Sequence, residues 1–228
     1  MVIEDAAEGI GSEYQGCPAG TLGDIGIFSF NATKLIMGGQ GGMLVTNNNA
    51  IYERAKLLSH HGIDTQKSGK YYWSTELGHN YNWSNLNAAL ALAQLRRITE
   101  LVAQKRQIFA WYARELQDCP HVTLNAQPDD VYNCYWITCA VLSPVLKLEK
   151  EEIKNQFDAF NIDVRPFFYP LTMMPPFAPF SQSAAANRTS YQLPPRAICL
   201  PSGYDLVEED VVFVSQVLKQ IIDHAESN

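Results

Sequence analysis

The sequence predicts an α/β chain in three parts: an α/β segment over residues 1–83, one long linking helix over 84–118, and a small α+β domain over 119–228. Three observations carry this reading. Short apolar runs separated by glycine turns, "IGIFSF" (25–30) and "GGMLVTN" (41–47), read as buried strands of the first part. From Ser84 to about Asp118 there is no Gly or Pro, and Leu95, Ile98, Val102, Phe109, Tyr112 and Leu116 recur at helical spacing, interrupted by Lys105. Beyond Pro120, strand-like runs alternate with amphipathic helices.

Element by element, "MVIED" (1–5) is a short strand ending in acid. "NAIYERAKLLSHHG" (49–62) is a helix closed by Gly62. Residues 63–83 form a polar, aromatic-rich loop, long enough to be functional. Ser84 N-caps the long helix. Further on, "CYWITCAVLS" (134–143), "IDVRPFF" (162–168) and "AICLP" (197–201) read as strands. "KEEIKNQFDAF" (150–160) is a helix with Ile153, Phe157 and Phe160 on one face. Residues 169–196 are Pro-rich and irregular, and 208–225 is a closing helix with Val211, Val214, Leu218 and Ile221 aligned.

Bulk properties narrow the function classes. A hydrophobic fraction of 46% over 228 residues supports a substantial core. The net charge of -7 argues against nonspecific binding to nucleic acid or anionic membranes. No apolar run reaches the roughly 18 residues of a membrane span, and no signal peptide is expected. Cys17, Cys119, Cys134, Cys139 and Cys199 are odd in number and lack a CxxC, which fits reduced thiols in a cytoplasm better than disulfides or zinc.

The candidates for chemistry are Asp5, Ser29, Lys34, the Gly38–Gly42 run, Asn80 and Arg165. Each has an ordinary alternative. Asp5 could N-cap a helix, Lys34 could sit in a surface turn, the glycines could form a plain turn, and Arg165 could bridge within its own domain. His60 and His61 at a helix end can be explained by the helix dipole. No P-loop, GxGxxG, zinc spacing or Ser/His/Asp pattern occurs.

Together, "VIEDAAEGIG", "GTLGDIGIFSFNATKLIMGGQGGMLVTN" and "LGHNYNWSNLNAALALAQL" resemble the DegT/DnrJ/EryC1/StrS sugar aminotransferases, which use pyridoxal 5'-phosphate (PLP). "VRPFFYPLTMMPPF" and "CLPSGYDLVEEDV" resemble the perosamine-synthase branch. The resemblance implies the C-terminal part of a fold type I transferase: an incomplete large-domain sheet, the long linking helix and the small domain. It implies that Lys34 bears the cofactor covalently, that Asp5 pairs with its pyridine nitrogen, and that Glu8 lies beside its ring. Ser29 binds its phosphate, Asn80 reaches that phosphate from a partner subunit, and Arg165 contacts substrate or cofactor anions. The glycines match a turn where backbone passes close to the cofactor. The implied substrates are a nucleotide-linked 4-keto-6-deoxy sugar and glutamate, handled by a cytoplasmic homodimer with a shared site, in O-antigen or polysaccharide sugar biosynthesis.

Departures from the family pattern are Glu8 where Gln or His is usual, Gln40 where Glu is usual, and Asn82 where Arg is usual. Lys34 is retained where dehydratase members carry His, which favours transamination. Family members extend further at the N-terminus. The chain is therefore expected to lack the segment holding a phosphate-binding turn and the aromatic that stacks on the ring. That leaves a second expectation open: a non-catalytic remnant, or a subunit of such an enzyme.

Overall fold

The computed structural model describes residues 1–64 and 69–227, so part of the long loop expected at 63–83 lies outside the described residues. They form two compact units, Met1–Val102 with Gln127–Trp136, and Ala103–Ala126 with the chain from Ile137 onward.

The first unit is organised by a three-stranded sheet in the order β1-β4-β5. Strands β1 (Ile3–Asp5) and β4 (Ile25–Ser29) run parallel, with Ile3 opposite Ile25 and Asp5 opposite Ile27. Strand β5 (Gly42–Val45) returns antiparallel to β4, with Ser29 opposite Gly42. A second small sheet joins β2 (Glu13–Tyr14), β3 (Cys17–Pro18) and β7 (Val131–Tyr132), none of which the apolar pattern announces. The runs read as buried strands are only partly so: Ile25 is buried, while Ile27, Met43 and Leu44 are exposed.

Glu4 shows how a short strand is fixed here. Its carboxylate accepts from the amides of Gly20 (2.5 Å), Leu22 (2.9 Å) and Gly23 (3.4 Å), so it closes the loop before β4. Those backbone donors, Gly20 foremost, hold its pKa below the ordinary 4.5 against the opposing pull of burial. A lowered folded-state pKa means that the contribution is complete above the unfolded value and is lost as pH falls through the folded one. Glu4→Gln should therefore flatten the acid limb of stability, read as urea midpoints between about pH 6 and pH 3, with the two proteins converging at the acid end. Equal slopes in both proteins would show that the carboxylate does not carry this linkage.

Helix α1 (Asn49–Ser59) starts at Asn48, whose side chain accepts from the amides of Ala50 and Ile51. Its end is turned by Gly62 (φ +65), whose amide donates to the Leu57 carbonyl. The described part of the following loop is laced to it, since the amides of His79 and Tyr81 donate to the carbonyls of Leu58 and Ser59.

The single helix expected over 84–118 is two helices, α2 (Asn85–Leu95) and α3 (Ile98–Leu116). The Arg97 amide bonds back three residues to Gln94, and the α pattern restarts when the Leu101 amide donates to Arg97. Apolar spacing defines which side of each helix is buried but carries no information about whether two segments share one axis, so a break without Gly or Pro leaves no trace in it. Ser84 caps α2 as expected.

In the second unit, α3 continues from Ala103, and a four-stranded sheet has the order β6-β8-β10-β9. These are β6 (Val122–Leu124), β8 (Cys139–Leu142), β9 (Arg165–Pro166) and β10 (Ala197–Cys199), paired antiparallel throughout. Ile108, Tyr112 and Leu116 of α3, Ile153 and Phe157 of α4 (Lys150–Asp158), and Val211, Val214, Leu218 and Ile221 of α6 (Glu208–Glu226) pack in one core with Ala140, Leu142 and Ile198. Two readings shrink here. The strand expected over 134–143 begins only at Cys139, and that over 162–168 is two residues long. Phe160, expected on the buried face of α4, is 44% exposed because α4 ends at Asp158.

The Pro-rich stretch is mostly 3-10 helix, at 171–173, 175–185 and 194–196, around the short α5 (Arg188–Gln192). Lys150 is 1% exposed; its ammonium donates to the Phe167 carbonyl (2.8 Å) and lies 3.2 Å from the Tyr169 ring centroid. Burial pushes its pKa down. All five cysteines are unbridged. Among the described residues no helix is long and apolar enough to cross a membrane.

Candidate active site around Lys34

Strands β1 and β4 are parallel neighbours, so their carboxyl ends, Asp5 and Ser29, lie on the same edge of the sheet, the edge where α/β proteins commonly bind ligands. Asp5 does not cap a helix. Its Oδ1 accepts from the Ala7 amide (3.1 Å), a local turn, and the small residues Ala6 and Ala7 follow. Ser29 Oγ accepts from the Asn31 amide at 3.3 Å.

The loop from Ser29 to Gly42 carries Lys34 and is tied at every side. At its base the Phe30 amide donates to Gly41 (2.9 Å) and the Gly38 amide to Phe30 (2.8 Å). Leu35 and Ile36, directly after the lysine, are fully buried and anchor it. Helix α2 then clamps the far side. The Gln94 amide group exchanges two hydrogen bonds with the backbone of Met37 (2.8 and 3.1 Å), and Asn87 Nδ2 donates to the Gly38 carbonyl. Trp83 Nε1 donates to the Gln40 carbonyl (2.6 Å) and its ring stacks on Phe30 at 4.8 Å.

Trp83 also supplies a physical reason for the glycines other than cofactor approach. A Cβ at Gly41, where φ is +109, would lie 2.2 Å from the indole nitrogen, and one at Gly38 would lie 2.3 Å from the indole ring.

Lys34 itself lies in a niche. Its Nζ is 2.9 Å from Glu8 Oε1 and 4.3 Å from the centroid of the Trp136 ring. The Trp136 indole donates to the carbonyl of Thr33 at 2.8 Å. The Lys34 side chain is 14% exposed and that of Glu8 49%. Sequence reasoning found Glu8 and missed Trp136, because residues 134–138 read as a strand of the later domain. The nearest available signal was Pro128 with "DD" at 129–130, a turn signal just ahead of the segment.

The remaining candidates stand on other elements. Asn80 is in a backbone bridge with His60 beside the end of α1. Asn82, at the position where the family has Arg, places its amide nitrogen 2.7 Å from His60 Nδ1. Arg165 is an exposed residue of β9 in the second unit, opposite Cys199, and makes no ion pair among the described residues.

The donor set fits PLP on three of its handles: a partly accessible lysine amine, a carboxylate at a strand end whose Oδ2 accepts no hydrogen bond among the described residues, and a hydroxyl on the same sheet edge. The architecture is that of the C-terminal part of a fold type I aminotransferase. Helicobacter pylori PseC, an aminotransferase involved in the biosynthesis of pseudoaminic acid, superposes with a TM-score of 0.87 over 97% of this chain and 59% of its own, at 22% sequence identity.

The sequence pattern of the DegT/DnrJ/EryC1/StrS aminotransferase family matches residues 1–219, and the chain belongs to that family. Among curated relatives, GDP-perosamine synthase of Escherichia coli O157:H7 is 34% identical over 96% of this chain and 58% of its own length. That of Caulobacter vibrioides is 32% identical over 97% of this chain and 59% of its own. The chain thus spans somewhat under three-fifths of the length of these relatives.

Proposed function

We propose that the chain provides the lysine-bearing part of a PLP-dependent aminotransferase acting on a nucleotide-linked 4-keto-6-deoxy sugar, with glutamate as amino donor. The observation that carries this reading is the convergence of Asp5, Ser29 and a clamped Lys34 loop on one sheet edge, in a chain that is about a third identical to two GDP-perosamine synthases. When bound, PLP supplies an electron sink for the carbon that gains or loses a proton.

The chain's own groups do the rest. Lys34 would hold the cofactor covalently and, with its amine free, would carry a proton between carbons. The Asp5 carboxylate would pair with the pyridine nitrogen and keep it protonated. Glu8, paired with Lys34, would also lie near the ring of the bound cofactor. The Ser29 hydroxyl would donate to the phosphate, joined by Asn80 from a second copy, so that the working form would be a homodimer with a shared site. Arg165, which makes no ion pair among the described residues, would serve a substrate anion. The setting of such chemistry is cytoplasmic polysaccharide-sugar synthesis.

The test is a substrate panel. A preparation containing this chain is loaded with PLP and given glutamate with GDP-, UDP- or TDP-linked 4-keto-6-deoxyhexoses, or with free 2-keto acids alone. Amination of at least one nucleotide sugar is expected. Turnover of keto acids with no nucleotide sugar would overturn the substrate class. PLP binding without any turnover would favour a non-catalytic subunit.

A further inference from the structure

We propose that Trp136 and Glu8 form a holder for the Lys34 amine, with Trp136 as a positioning residue recruited from beyond the helices to fix the lysine in one arrangement. The proposal rests on the reading of Lys34 as the cofactor-bearing lysine for its purpose, though not for its geometry.

Trp136 grips two consecutive residues. Its buried N–H satisfies the Thr33 carbonyl, and its ring lies 4.3 Å from the Lys34 ammonium, within cation–π range. The residue is only 8% exposed although it lies in irregular chain. The segment that delivers it is fastened to the first unit at several points. The Asp130 carbonyl accepts from Gln15 (2.7 Å), the Cys134 amide donates to Ser12 Oγ (3.1 Å), and β7 pairs with β2. Tyr135, directly before Trp136, has φ +49, a sparsely populated conformation for an aromatic residue, and the Asn133 side chain accepts from its amide (2.9 Å). A chain that returns to the first unit and adopts such a conformation one residue before the indole places that indole with little latitude.

Glu8 alone would not hold the amine. Its carboxylate is half exposed, and exposed ion pairs contribute little and are screened by salt. The indole face adds an attraction that is less screened because it is covered. The amine of a cofactor-bearing lysine must leave and return to the same atom in every cycle, and a holder shortens that search.

The measurement is competitive acetylation of the purified chain with acetic anhydride at fixed pH, without PLP, with the Lys34 rate read by peptide mass spectrometry. Trp136→Ala should raise it about five- to thirtyfold, the span of a cation–π contact between partly and fully covered sites. Trp136→Phe, which keeps a ring, should fall between the two. Glu8→Gln should raise the rate by a smaller factor that disappears in about 1 M salt. Alkylation of the buried Cys134 thiol, unchanged, shows that the segment stays docked. A Trp136→Ala rate within about twofold of wild type with Cys134 still protected overturns the proposal. Should Cys134 become reactive in that variant, Trp136→Phe and Glu8→Gln decide, and rates for both within twofold of wild type overturn it. Borohydride mapping of PLP to another lysine would instead sink the reading of Lys34 and leave the holder standing.

Discussion

Lys34→Ala should abolish borohydride-stable PLP labelling of the chain and lower amination by about 10³–10⁴-fold in any preparation that aminates with the wild-type chain. Removing a general base costs about 10²–10⁴-fold by itself, and the covalent anchor is lost in the same substitution. Stability should fall only modestly, by about 1–2 kcal/mol for the lost contact with the Trp136 ring. The loop is held by buried Leu35 and Ile36, by Gln94 on Met37 and by Trp83 on Gln40, none of which involves the lysine amine. The Glu8 pair that is lost is half exposed, so its removal is expected to cost at most about 1 kcal/mol. Partial recovery by added small primary amines would separate a missing amine from a damaged loop. If the variant keeps more than a tenth of the wild-type turnover, or is labelled as strongly as before, the assignment of Lys34 fails.

Gly41→Ala should destabilise the first unit by about 2–6 kcal/mol, a large part of the stability of an ordinary domain. Two costs combine. The backbone at Gly41 has φ +109, outside the range of L residues, and the new Cβ would lie 2.2 Å from Trp83 Nε1. That indole has little room to yield, being hydrogen-bonded to Gln40 and stacked on Phe30. Gly38 separates the two costs, because a Cβ there meets the same indole at 2.3 Å while its φ is not positive. Urea unfolding of both variants should rank Gly41→Ala as the more damaging, with the difference reporting backbone strain. A Gly41→Ala protein within about 0.5 kcal/mol of wild type would mean that the turn has another accessible conformation.

Parts of the site were legible because they are local. Asp5 and Ser29 end apolar strand runs, Lys34 sits between such a run and a glycine cluster, and Ser84 precedes a helix, so short-range pattern makes them candidates, while the expected roles of Asp5, Ser29 and Lys34 come from the resemblance of their motifs to the family. What holds Lys34 was not legible for a physical reason. Gln94 acts through two hydrogen bonds, Asn87 through one, and Trp83 through one and a ring stack, all across more than forty residues of chain. Such contacts leave no periodicity. Trp136 was hidden further by its neighbours, since "CYWITCAVLS" is apolar enough to read as one strand although only its second half pairs.

By itself the sequence determined the α/β class and most of the apolar faces of α4 and α6 through residue type and near-neighbour spacing, and the family through its motifs, and it singled out Lys34 as a candidate. Only the tertiary structure decided that α2 and α3 are separate helices, that 127–136 belongs with the first unit, and that Glu8 and Trp136 meet the Lys34 amine. Those outcomes depend on which buried N–H finds which carbonyl, and burial leaves that choice to the packing of distant segments.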